Sequence, residues 1–70
     1  MVNAAQIKHE MEVRGSDGKH VGTVDGIEGR RVRLASGGMY HYIELDAVES
    51  VEDDTVHLNK TAEETTRAWH

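Results

Sequence analysis

The sequence predicts a mainly β fold: a small antiparallel β-barrel of five or six strands, with a short N-terminal helical turn and a C-terminal helix over about 61–69. Three observations point there. The large aliphatic residues are eight Val against three Ile and three Leu. Val is stiff at χ1 and packs well on a pleated surface. Turn signals recur evenly, at Gly15-Ser-Asp-Gly18, Gly29, Ser36-Gly37-Gly38 and Glu52-Asp-Asp54, as in a domain of short strands. Finally, residues 20–28 hold Gly22 and Gly26 together with a break in alternation at Val24. An interior glycine with a parity slip marks a bulge or bend, the device that curls a small sheet on itself.

The elements follow in order. Asn3-Ala-Ala-Gln6 reads as a helix start, with Asn3 as cap and Ile7 as the apolar anchor of a turn or two. Residues 11–14 alternate, with Met11 and Val13 on one face, and form a short strand. Ser16 and Asp17 favour a turn, and Gly18 accepts positive φ. Residues 20–28 are the longest strand. Residues 30–35 alternate cleanly, with Val32 and Leu34 inward and Arg31 and Arg33 outward. Gly37-Gly38 makes a hairpin loop. Residues 39–45 form the next strand, with Met39, His41, Ile43 and Leu45 on one face and Tyr40, Tyr42 and Glu44 on the other. Residues 46–51 read as a connection in which Val48 and Val51, three apart, share one helical turn. Residues 55–59 are a last strand burying Val56 and Leu58. Thr61-Ala-Glu-Glu64 is a capping box. It opens a helix with Ala62, Thr65 and Trp69 at helical spacing, and Trp69 is its main anchor.

Length and composition bound the function. Seventy residues allow one domain, spanning 1–70, with a small core. There is no Cys, hence no disulfide, thiolate nucleophile or Cys-type zinc site. No apolar run is long enough to span a membrane, and residues 1–8 lack the pattern of a secretory signal. A cytoplasmic protein is expected. Three large aromatic rings, Tyr40, Tyr42 and Trp69, are too few for a stacking platform on nucleic acid.

The net charge of −5 is divided unevenly. Residues 1–33 hold six Lys/Arg and five Asp/Glu, a net of +1; residues 34–70 hold two and eight, a net of −6. Pairing between the halves is the first expectation. The alternative is an acidic face of Glu49, Glu52, Asp53 and Asp54 turned to a basic partner. The acidic balance disfavours non-specific duplex binding, which neutralised phosphates drive.

No motif supports an enzyme. There is no nucleophile elbow, P-loop or calcium loop. The five His are not spaced as zinc ligands on a helix or strand. His41, on an apolar strand face, reads as a hydrogen-bonded histidine at the core edge, with a ligand- or metal-sensing role as the sharper alternative. No metal or other cofactor is expected. The G-x-x-G pairs at Gly15 and Gly26 join strand-like segments, unlike the helix-joining loop that clamps nucleic acid. Arg30, Arg31 and Arg33 form the one basic cluster. They either pair across strands with the protein's own acids or grip carboxylates or phosphates of a partner. Tyr40 and Tyr42 beside Arg31 and Arg33 resemble a binding hot spot. Together with Trp69 these four make the candidate interface.

Three blocks carry a family resemblance. Met11-Glu-Val-Arg-Gly-Ser-Asp-Gly-Lys-His-Val-Gly-Thr-Val-Asp25, His41-Tyr-Ile-Glu-Leu-Asp-Ala-Val48 and Val56-His-Leu-Asn-Lys-Thr-Ala-Glu-Glu64 resemble, in order, a family of short bacterial proteins catalogued as a domain of unknown function. More loosely, D-G-x-x-(V/I)-G-x-V followed by a Val-rich strand resembles PRC-barrel domains, the small β-barrels of the photosynthetic reaction-centre H subunit and a ribosome-maturation factor. The resemblance implies a compact barrel that binds proteins and carries no catalytic residue. This chain departs from the family pattern at Glu44, where Pro is frequent, and at Ala47, where a large aromatic is frequent. The functional expectation is a non-enzymatic interaction or scaffold module that self-associates as a dimer, because a core this small is commonly supported by oligomerisation. The alternative is a ribosome- or RNA-associated factor using Arg30, Arg31 and Arg33.

Overall fold

In the computed structural model, which describes residues 4–69, the chain reverses where the turn residues stand. A 3-10 turn at Ala4–Gln6 precedes β1 (Glu12–Arg14), β2 (His20–Glu28), β3 (Arg31–Ser36) and β4 (Met39–Glu44). A second 3-10 turn at Leu45–Ala47 leads to β5 (Val48–Glu52), β6 (Thr55–Leu58) and the helix α1 (Ala62–Ala68). Asn3, the expected N-terminal cap, lies outside the described residues. Ile7, the expected anchor, is buried.

All six strands form one sheet in the order β4-β3-β2-β1-β6-β5. Two features correct the expected antiparallel barrel. First, β1 and β6 run parallel, with Glu12 opposite Thr55 and Val13 opposite Val56, so the sheet is mixed. Second, β4 and β5 are its edges and do not pair with each other. The sheet is not closed into a barrel. It is nevertheless tightly curled, for a topological reason. Six strands laid flat would hold their edges about 24 Å apart. Yet β4 and β5 are joined only through Leu45–Ala47, a link that reaches at most about 14 Å. The edges are therefore drawn towards each other at that end. Asn59 fastens the link, its N–H donating to Ala47 O (2.8 Å) and its Nδ2 to Asp46 O (3.0 Å).

Bulges supply the curl. The β1–β2 register shifts between Val13 and Arg14, and the β2–β3 register shifts between Val24 and Gly26. Each inserts an unpaired residue in β2 and sharpens its bend. That is why Val21 and Val24, of opposite parity, are both buried. A third shift, between Val48 and Ser50, overturns the reading of residues 46–51 as a connection with one helical turn. A bulge advances the pleat by one residue, so Val48 and Val51 reach the core face with helix-like spacing inside a strand. The helical part is confined to Leu45–Ala47.

The core is a Val-rich set inside the curl. Val13, Val24, Val32, Leu34, Val56 and Leu58 are its largest fully buried side chains. The helix α1 packs against β2. Its start is fixed as the capping box predicts: Thr61 Oγ1 accepts from the Glu64 N–H (3.1 Å), and the Thr61 N–H donates to Glu64 Oε1 (2.9 Å). The β1–β2 turn secures it further. Asp17 Oδ1 accepts from the Ala62 N–H (3.3 Å), and the Ser16 N–H donates to Lys60 O (2.8 Å). At Gly15 a Cβ would run into the backbone of Thr61 and Ala62. Thr65 is the buried polar residue of the helix, and its hydroxyl is satisfied by Thr61 O (2.9 Å).

Candidate interaction surface

The outer face of β2, β3 and β4 carries the candidate residues, and its geometry starts from the bulge at Asp25. The extra residue in β2 turns the Asp25 carboxylate towards β3, where Oδ2 accepts from Arg33 Nε at 2.6 Å. Asp25 Oδ1 also lies 3.9 Å from His9 Nε2. A second guanidinium nitrogen of Arg33 is 3.4 Å from Glu28 Oε2, and the same oxygen accepts from the Tyr42 hydroxyl at 3.0 Å. The Arg33 guanidinium stands 5.4 Å from the centre of the Tyr40 ring, within range of a cation–π contact. The neighbouring Tyr42 hydroxyl and the Asp25 carboxylate hold the guanidinium in its charged form and raise its pKa further.

Arg31 is paired directly across the ladder, Nε to Glu44 Oε2 at 3.2 Å. Arg30 points away and bonds Asp46 Oδ1 at 3.0 Å. Each arginine of the basic cluster therefore meets an acid of its own chain. Arg30 and Arg31 join the basic first half to the acidic second half, while Arg33 finds its acids within the first half. Such exposed pairs contribute little to stability, but they order the side chains of this face. The acids Glu49, Glu52, Asp53 and Asp54 are exposed and form no ion pair among the described residues.

The fold brings Arg31, Arg33, Tyr40 and Tyr42 together, and places Trp69 elsewhere. Trp69 closes α1 and stacks on His41, on the opposite face of β4 from the two tyrosines. The spacing of Trp69 predicted its helix and its docking, but not its partner. His41, read as a hydrogen-bonded histidine at the core edge, has its ring face against the indole instead. The residues missed on the outer face are Asp25 and Glu28. The break in parity at Val24 signalled the bulge that re-aims Asp25; nothing local signalled Glu28.

A small cavity of about 110 Å³ lies between the β4 edge and the helix. Tyr42, Ile43 and Glu44 form one side; Ala47, Thr65 and Trp69 form the other. The short side chain of Ala47, at the position where a large aromatic is expected from the resemblance, leaves part of this space. Among the described residues no group of three or more His, Cys, Asp or Glu is placed to hold a metal ion, and no helix is long and apolar enough to cross a membrane.

The fold and surface define a small, mainly β domain with an open, curled sheet and an ordered Arg–Tyr–carboxylate face. Over residues 7–66 the chain matches the family of uncharacterized proteins conserved in bacteria (DUF2171), and it belongs to that family. No curated protein and no solved structure matches it.

Proposed function

We propose that this protein is a non-enzymatic interaction module that self-associates through the region around β4. One observation carries the reading. Met39 and Tyr40, at 63% and 62% exposure, are the exposed large hydrophobic side chains among the described residues, and both stand on β4. Arg33 lies beside Tyr40. Aromatic and arginine side chains held in place before binding are the usual anchors of protein interfaces. The curled sheet supports a more specific reading as a PRC-barrel-like domain, with its seam left unpaired between β4 and β5.

An RNA-associated role would use the same arginines, but their own acids compete for them. The discriminating experiment is light scattering across a concentration series, beside an RNA-shift assay at low salt. A mass that doubles at micromolar concentration and reverts in Tyr40→Ser supports the module. A monomer throughout, with an RNA shift lost in Arg31→Gln, overturns it.

A further inference from the structure

We infer that the occupant of the β4 edge is the β4 strand of a second copy, paired antiparallel with Tyr42 opposite Tyr42. The inference rests on the self-association just proposed and specifies how the copies meet. The hairpin fixes which backbone groups are available. Gly37 and Gly38 both have positive φ, and Ser36 closes the loop against Met39. In such a two-residue hairpin the closing pair exchanges both hydrogen bonds. Alternation then assigns the inward bonds to Met39, His41 and Ile43. The next such pair falls at Arg30 and Leu45, whose N–H donates to Arg30 O at 2.8 Å. The N–H and C=O groups of Tyr40, Tyr42 and Glu44 therefore point away from β3. Among the described residues those of Tyr40 and Tyr42 have no backbone partner, while the Glu44 C=O, at the N-cap of the 3-10 turn, accepts that turn's first bond.

The two edges of the sheet differ in the features that block pairing. The β5 edge is broken by a bulge between Val48 and Ser50 and carries the exposed acids Glu49 and Glu52. Bulges and exposed charges are the usual protection of an edge. The β4 edge has no bulge: its register with β3 is unbroken from Arg31–Glu44 to Ser36–Met39. It contains no Pro or Lys, and its one charge, Glu44, is paired with Arg31.

Self-complementarity selects a second β4 and its register. With Tyr42 on the two-fold axis, Tyr40 faces Glu44 of the second copy, and all three outward residues of each strand find a partner. Sliding the strands by two residues in one direction sets Glu44 against the Gly38 turn. Sliding them in the other runs Tyr40 into the 3-10 turn at Asp46. In the Tyr42-centred register no like charges meet. Glu44 of the second copy arrives beside Tyr40, over which the Arg33 guanidinium already lies, so an acid approaches a cation from each side of the axis.

The absence of cysteine from the chain gives a direct test. Tyr42→Cys and, on the other edge, Glu49→Cys are oxidised mildly and run on non-reducing gels, beside equilibrium sedimentation of the wild type and Tyr42→Lys. In a hydrogen-bonded antiparallel pair the Cα atoms are about 5.5 Å apart, within disulfide range. The expected result is a wild-type dimer, cross-linking by Tyr42→Cys and not by Glu49→Cys, and at least about a tenfold weaker dimer in Tyr42→Lys, where like charges face each other. Tyr40→Glu, at a more exposed position and set against Glu44 of the second copy, repeats the weakening if Tyr42→Lys melts early. A wild-type dimer that Tyr42→Cys fails to cross-link, or that Glu49→Cys cross-links equally, overturns the edge pairing and leaves self-association standing. A wild type monomeric up to millimolar concentration overturns both.

Discussion

The imidazole of His41 and the indole of Trp69 lie face to face, with ring centroids 3.8 Å apart and planes 1° from parallel. This contact ties the last residue of the helical segment to the middle of β4. Trp69 is only half-buried, so its truncation costs less than a core aromatic. Trp69→Ala is expected to lower stability by about 2–3 kcal/mol, or roughly 10 °C or more in Tm. A double-mutant cycle with His41→Ala isolates the stacking, with an expected coupling of about 0.5–1.5 kcal/mol. Additive losses would show that the rings are neighbours without being partners.

Gly15 and Gly18 share one turn but resist substitution for different reasons. Gly15 has no room: its Cβ would overlap the Thr61 and Ala62 backbone. Gly18 has open space but a φ of 80°. Gly15→Ala is expected to cost about 1–3 kcal/mol by overpacking and to raise hydrogen exchange across α1. Gly18→Ala should cost about 1–2 kcal/mol through backbone strain and leave α1 protected. Equal exchange in both variants would refute the distinction.

Acid should weaken the fold through three carboxylates whose pKa values are lowered. Hydrogen bonds from His20 and then Arg14 lower that of Glu12. At Asp17 burial pushes upward, but the N–H groups of Ala62 and Lys19 outweigh it. The Thr61 N–H, followed by the Thr61 side chain, lowers Glu64. A group depressed in the folded state contributes stability above its ordinary value and loses it as pH falls through the folded one. Denaturant midpoints should therefore be steady above about pH 5 and decline below the ordinary values of 4.5 for Glu and 3.8 for Asp. Glu64→Gln should flatten part of that decline. A midpoint that rises on acidification would contradict the assignment.

Ala47→Leu should fill part of the cavity between β4 and α1 and raise stability by about 0.5–1 kcal/mol, the lower range for cavity filling because the space is partly open. A lower Tm would mean that the cavity walls cannot accept a larger side chain.

Legibility in the sequence followed the range of each interaction. The capping box of Thr61 and Glu64, the strand at His20–Glu28 and the Gly37-Gly38 hairpin depend on neighbours a few residues away, and the sequence displays them. The strand Val48–Glu52 was hidden because its bulge gives Val48 and Val51 the spacing of a helical turn. The parallel pairing of β1 with β6 leaves no local trace, since its partners come from opposite ends of the chain. At the surface, alternation placed Arg31, Arg33, Tyr40 and Tyr42 on one face. It could not say that Asp25 and Glu28 would occupy Arg33, or that Trp69 would lie across the strand from them.

The parallel contact of β1 and β6 also shapes how the chain reaches its fold. The β2–β3–β4 meander and the β5–β6 hairpin can each form from nearby residues, on the microsecond scale of isolated hairpins. Bringing Glu12 beside Thr55 closes a loop containing most of the chain, so its entropy is lost before the contact repays it. The expected rate-limiting event is the docking of the two preformed pieces along β1. Val32→Ala, inside a piece already formed at that event, should therefore slow refolding, and so should Val13→Ala in the docking contact itself.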